Sequence, residues 1–255
     1  MMPERDPPRN AVLRRLPPDE LRRLRPHLRR ADLAPGKGSL DGRAELGVVW
    51  FPEAGFLSVL LRDGCGGETE VAMVGREGAV GVGGPEGGPG GAGWRLVAQQ
   101  WGVAHVLAPE RLSAAAAAAP ALPDALGLAS AELLAQMAAT AHANARDCVR
   151  ERLARWLLMA HDRVNGDALH VTHDVVAARL GVRRVGVTNA LHLLEGERLV
   201  RAHRGRVRVL DRAGLAAATN GLYAPHRRPD RETAGEVQAP PASAAPEWGR
   251  ADRRA

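Results

Sequence analysis

The chain has a single lysine, Lys37, and two cysteines, Cys65 and Cys148, among 255 residues. Two thiols so far apart supply neither a disulfide framework nor a four-cysteine metal site, and they suit a reducing, cytoplasmic home. The opening residues, MMPERDPPRN, lack the apolar segment of a secretory signal. No run of about 18 apolar residues occurs, so no membrane span is expected. Catalytic signatures are missing as well. Pro35-Gly36-Lys37-Gly38-Ser39 does not meet the G-x-x-x-x-G-K-[ST] spacing of a phosphate loop, and the glycine-rich stretch 81–93 does not open a helix as a dinucleotide fingerprint must. No Ser-His-Asp set or carboxylate pair is legible, so an enzyme is not expected.

Arginine, by contrast, is abundant and unevenly placed. The chain has 35 basic and 29 acidic residues, for a net charge of +6. Residues 149–219 hold 13 arginines, no lysine and seven acidic residues, an excess equal to that of the whole chain. A basic C-terminal half on an otherwise balanced protein points to a polyanionic partner, with a merely solvated arginine-rich surface as the alternative.

The periodicity predicts an α+β protein in five stretches. Residues 1–9 are polar, proline-rich and expected to be disordered. Two short helices follow, one over 10–16 and one capped by Asp19 and running to about residue 28. Between residues 30 and 110, short apolar runs alternate with turns at Gly36, Gly55, Gly64 and Gly75, the pattern of a compact antiparallel β-domain. The segment 81–93 has too little side chain to pack and reads as a flexible loop. From Pro123 the pattern is helical for about forty residues, with a change of register near 147–151. Leu134, Met137, Ala141, Asn144 and Cys148 follow coiled-coil spacing, and a lone Asn at such a seam favours a parallel dimer. The alternative is that this helix packs on its own β-domain. Beyond Thr219 the tail lacks apolar periodicity and is expected to be disordered. The resulting boundaries are 1–9, 10–121, 122–149, 150–219 and 220–255.

The segment 172–210 carries the most specific pattern. Thr172 caps a helix with Asp174 in its first turn, ending at Leu180; Gly181-Val182 makes a tight turn, and a second helix starts at Arg183. Val187, Ala190, Leu191 and Leu194 form the buried stripe of that second helix. Its opposite face shows Arg184, Val185, Thr188, Asn189 and His192, with Arg183 at the entrance. In a helix-turn-helix this face enters the major groove, where Arg184 suits guanine and Asn189 suits adenine. The segments 199–203 and 206–210, joined by Arg204-Gly205, read as a hairpin wing whose Arg201, Arg204, Arg206 and Arg208 neutralise phosphates. A winged helix used only for protein contacts is the rival reading.

The stretches NAVLRRLPPDELRRL, VVWFPEAGFLSVL, VAMVGREGAVG, VRERLARWLLMAHDRV and VTHDVVAARLGVRRVGVTNALHLLEGERLVRAHRGRVRVLD resemble the Crp/Fnr family of bacterial transcription regulators over about residues 10–220. The resemblance implies an N-terminal antiparallel β-roll of the cyclic-nucleotide-binding type, a long dimerisation helix and a C-terminal winged helix-turn-helix. It implies a homodimer on a partly palindromic double-stranded operator, controlled through its sensor domain, with RNA polymerase as a further partner and no membrane. The family's leading recognition arginine matches Arg184. Val185 stands where many members have a glutamate and Asn189 where many have a second arginine, so the family's best-known operator is not expected. On the sensor side Glu77 and Arg95 are the nearest matches to the residues that hold a cyclic nucleotide. Leu96 follows Arg95 in place of Ser or Thr, and a glycine-rich loop replaces the cassette helix, so cyclic-nucleotide binding is not expected. The cysteine set of iron–sulfur sensors is absent. His27, His105 and His142 show no haem-ligand spacing, and His161, His170 and His173 read as a linker rather than a metal site. The effector stays open.

Overall fold

The structure, a computed structural model, describes residues 7–35, 48–81 and 93–225. The turn at Gly36, the glycine-rich stretch from 82 to 92 and the terminal segments 1–6 and 226–255 lie outside those residues.

Helix α1 (Ala11–Arg14) is capped by the buried Asn10, whose Oδ1 accepts from the amides of Val12 and Leu13 while its Nδ2 donates to the carbonyls of Pro52 and Gly78. That single side chain fixes the start of the fold to the β-domain. The amide of Arg9 also donates to Glu53, so the order begins before the expected boundary at residue 10. Helix α2 (Pro18–Leu24), with Pro17 at the cap position, starts two residues earlier than an Asp19 cap would place it. Proline at the first helical position has its φ already set, and Asp19 lies within the first turn, paired with Arg23 at 3.0 Å.

The described strands that follow form a roll: β1 (Leu28–Leu33), β2 (Val49–Ala54), β3 (Leu57–Arg62), β4 (Glu68–Val74), β5 (Val80–Gly81), β6 (Trp94–Ala98) and β7 (Gly102–Leu107). They make two antiparallel sheets, β1-β7-β2-β5 and β4-β3-β6. Alternating residues point inward, so Trp50, Ala104 and Val106 of one sheet meet Leu57, Val59, Ala72 and Leu96 of the other in one core. Gly102 is required where two turns touch, since a Cβ there would stand 1.8 Å from the carbonyl oxygen of Ala54.

Helix α3 (Leu112–Ala118) leads into the 25-residue α4 (Leu122–Arg146). One face of α4 packs on its own roll through Ala125, Ala129, Leu133 and Met137. Gln136 acts there like a strand residue: the Met73 amide donates to its Oε1 at 2.6 Å, and its Nε2 donates to the Met73 carbonyl at 3.0 Å. The opposite face, including Leu128, Ala131, Leu134, Ala138, Ala141 and Ala145, is exposed, with Leu134 at 68%. The expected seam is therefore rotated. Met137 turns toward the roll, and Cys148 has left the helix, because Asp147 and Cys148 are extended and the Cys148 amide donates to Glu151 at the start of α5 (Val149–His161). Among the described residues no single helix is long and apolar enough to cross a membrane.

The C-terminal part adds β8 (Ala168–Leu169), α6 (His173–Leu180), α7 (Arg184–Gly196), β9 (Val200–His203), β10 (Arg206–Val209) and α8 (Arg212–Ala217). Its core is continuous with the roll, for Phe56 and Met73 belong to the same buried cluster as Leu157, Leu191 and Leu215. Residues 220–225, expected to be disordered, are tied down: Asn220 donates to Asp147, and Tyr223 donates to Asp162, which also pairs with Arg212.

Candidate nucleic-acid interface

Helix α6 begins where the Thr172 hydroxyl accepts from the Val175 amide at 3.3 Å. It ends at Gly181, whose φ of +63° places it in the left-handed region that glycine adopts without steric cost. A side chain at Gly181 would also meet Thr69 of β4, at 3.2 Å from its hydroxyl. The glycine therefore serves both the turn and the seat of α6 on the roll.

Helix α7 starts at Arg184, with Arg183 at the cap position and no side-chain cap bond, a shift of one residue from the expected start. Val187, Ala190, Leu191 and Leu194 are all buried, so the apolar stripe read from the sequence sets the rotation of the helix. That rotation leaves Arg183, Arg184, Val185, Asn189 and His192 exposed or half-buried on the outer side, with Val185 at 57%. An apolar side chain held in solvent among polar neighbours has the chemistry to pack against a thymine methyl or another apolar group. Arg184 Nε lies 3.2 Å from Asp174 of α6, and both side chains are about two-thirds exposed. Such a pair is worth little in water and is readily exchanged for a base edge or a phosphate. Thr188 lies 3.1 Å from His173 Nδ1, a contact that ties the two helices together.

The wing is the hairpin β9–β10, extended by β8 in the order β8-β10-β9. Gly205, the second of the two turn residues at its tip, has φ +70°, the position where a type II turn requires glycine. Val200, Val207 and Val209 face inward, leaving Arg201, Arg206 and Arg208 exposed, with Arg204 exposed at the tip. Arg208 stands directly across from Arg201 in the antiparallel register. Like charges facing each other across a ladder cost stability, a cost that a polyanion removes. The Gly205 carbonyl accepts from the Val171 amide at 3.0 Å, which sets the wing tip beside the start of α6. Thr172, His173, Thr188 and the wing turn thus form one connected region.

The sensor-side residues are engaged elsewhere. Glu77, in the turn after β4, lies 2.8 Å from Arg163 and accepts from the Gly75 amide. Arg95 of β6 pairs with Glu68 of β4. Neither of these contacts joins Glu77 to Arg95, and the stretch expected to replace a cassette helix includes residues 82–92, outside the described residues. Among the described residues, no group of three or more His, Cys, Asp or Glu side chains is placed to hold a metal ion.

Spacing gave no sign of a polar cluster where the roll meets the C-terminal helices. Glu70 of β4 is buried, accepts from Ser58 and from Trp156 Nε1 at 2.8 Å, and its carboxyl is pushed up to about 7. Burial is the main cause, opposed by those two hydrogen bonds and by the charges of Arg179 and Arg163.

Residues 151–218 match the model of the Crp-like helix-turn-helix domain. No curated protein matched the chain by sequence. Among solved structures the fold is similar to a protein assigned to the Crp/Fnr family of transcriptional regulators from Eubacterium rectale, with a TM-score of 0.63 at 15% identity over 82% of this chain and 98% of that one. It is also similar to a Crp-family transcriptional regulator from Thermus thermophilus (TM-score 0.61, 20% identity, 76% and 98% covered) and to FixK2 from Bradyrhizobium japonicum (0.61, 14%, 75% and 97%).

Proposed function

We propose that this chain, with a Crp-like helix-turn-helix domain over residues 151–218 below its roll and long helix, is a DNA-binding transcription regulator of the Crp/Fnr type that reads a partly palindromic operator as a cytoplasmic homodimer. The outward row Arg184, Val185, Asn189 and His192 on a helix locked by its buried stripe carries this reading. Arg184 releases Asp174 and pairs with guanine, Asn189 pairs with adenine, and Val185 offers an apolar contact where a carboxylate would instead select cytosine. Arg183, Thr172, Arg204 and Arg206 hold the sugar–phosphate backbone and set the register without reading sequence.

The exposed, nearly uncharged face of α4 supports the dimer: small residues at 131, 138, 141 and 145 let a second helix approach closely, and Leu134 is a large apolar side chain standing in water. Two copies joined there present two recognition helices to successive major grooves, about one helical turn apart. Occupancy of the roll by an effector biases the bend at Asp147-Cys148, and RNA polymerase is the partner through which binding alters transcription.

Selection of bound sequences from a random DNA pool tests the reading. A single enriched motif with two-fold symmetry is expected, and Leu134→Glu should convert the protein to a monomer in sedimentation and abolish the symmetric motif. Retention of every random sequence alike would overturn specific recognition, whereas an enriched but asymmetric motif would overturn the dimer.

A further inference from the structure

Between β4, α4, α5 and α6 lies a narrow cleft that opens to solvent. Three guanidinium groups line it: Arg152 and Arg155 from α5 and Arg179 from α6. Arg155 and Arg179 are only 7% and 8% exposed. The hydrogen bonds of all three go to neutral atoms. Arg152 donates to the Leu180 carbonyl, Arg155 to the Leu222 carbonyl and the Thr140 hydroxyl, and Arg179 to Gln99 Oε1 at 2.7 and 2.8 Å once that amide is turned to face its donors. Arg152 Nε is buried with no hydrogen-bond partner among the described residues. The carboxylates around the cleft compensate this only through space: Glu68, which acts on Arg179, is bonded to Arg95 and Arg62, Glu77 is bonded to Arg163, and Glu70 reaches Arg155 and Arg179 without a hydrogen bond. Asp147 acts on Arg152 and Arg155 only through space, and its own hydrogen bond comes from Asn220. Among the described residues Glu70 is the one carboxyl lining the cleft, and its buried position among Ser58 and Trp156 disfavours its charge.

A buried guanidinium without a bonded counter-charge is costly, and a donor left unspent adds to the cost. An anion that enters the cleft removes both costs at once, through charge-assisted bonds from planar donors suited to oxygen pairs. We infer that this cleft is a binding site for a small oxoanion, held by Arg152, Arg155 and Arg179 with Thr140 at its wall. The site lies outside the roll's interior and joins all four elements at the junction of the two halves. Its occupant bridges the DNA-reading half to α4, and Glu70 is the internal competitor for the same arginines.

The inference does not rest on DNA recognition, and its test uses the DNA-free full chain. Calorimetric titration with inorganic phosphate, and separately with nitrate, at fixed ionic strength should show saturable binding of one anion per chain. Arg152→Gln, at a half-buried position, should weaken it about tenfold, the loss expected for one charged hydrogen bond. Glu70→Gln should tighten it by removing the competitor. The wing variant Arg204→Gln/Arg206→Gln should bind as the parent does. Absence of saturable heat with both anions, equal affinity in Arg152→Gln and the parent, or loss in the wing variant would each overturn the site. Should Arg152→Gln fail to fold, the direction of the Glu70→Gln change decides alone.

Discussion

Arg179 and Arg184 stand five positions apart on consecutive helices of one helix-turn-helix, yet they inhabit opposite surroundings. Arg179 is 8% exposed, inside the junction with the roll; the side chain of Arg184 is 66% exposed and leans on an equally exposed Asp174. Burial holds the guanidinium of Arg179 below its ordinary basicity, with the charges of Glu70 and Glu68 opposing that shift. The same residue type thus serves two purposes. In the junction its desolvation has already been suffered and its position is fixed by the fold, so its removal is felt as instability. On the proposed DNA face its charge is still hydrated and its partner exposed, so its removal should be felt only when DNA is bound.

The sharpest way to break that comparison is Arg179→Ala. It should lower unfolding stability by about 3 kcal/mol in urea titration, since Gln99 loses its buried donors and the truncated side chain leaves a void, losses that outweigh the relief of a guanidinium with no bonded counter-charge, while leaving the selected DNA motif unchanged. A changed motif with intact stability would reverse the assignment of roles.

Glu70→Gln comes next. Its folded carboxyl sits at about 7 against an ordinary value of 4.5, so the stability it contributes is fully present below 4.5 and is lost as the pH rises through about 7. The amide mimics the protonated form toward Ser58, Trp156 and the nearby Arg155, Arg163 and Arg179. The variant should therefore exceed the parent at pH 8 by on the order of 2 to 3 kcal/mol and match it near pH 4.5, as thermal melts across that range will register. A difference that does not depend on pH would contradict the burial argument.

Arg184→Ala should change unfolding stability by less than about 0.5 kcal/mol, yet remove about 1 to 3 kcal/mol of discrimination at one base pair in competition binding. Equal weakening on specific and random DNA would reassign it to the backbone. The smallest effect belongs to Arg204→Ala, which should weaken all sequences alike and reduce the salt slope by about one unit.

The two regions also differ in how far they are legible from the sequence. The helix-turn-helix is a local object. The spacing of Val187, Ala190, Leu191 and Leu194, the glycine at 181 and the Arg204-Gly205 turn are all settled within a few residues of one another, and periodicity found them. The junction is assembled from β4, the end of α4, α5 and α6, so Glu70 meets Trp156 across 86 positions of chain. Nothing in the spacing of either residue announces that contact. Helix α4 falls between these cases. Its existence was legible, but its facing was not, because nearly every position is small or apolar and the few polar anchors that favour one side, Gln136 clasping Met73 and Thr140 meeting Arg155 among them, find their partners on other elements. Cys148 continued the seam in the sequence and left it in space, since two extended residues at the end of α4 restart the helical register.

The buried cluster that contains Phe56 and Met73 together with Leu157, Leu191 and Leu215 has a consequence for how the molecule comes apart. Neither half owns a complete interior. A fragment ending at residue 149 leaves two large apolar side chains of the roll uncovered, and the complementary fragment loses one wall of its own packing. The described body should therefore melt in one cooperative step rather than two, and a protease that nicks the link at Asp147-Cys148 should release aggregating pieces instead of two independent domains.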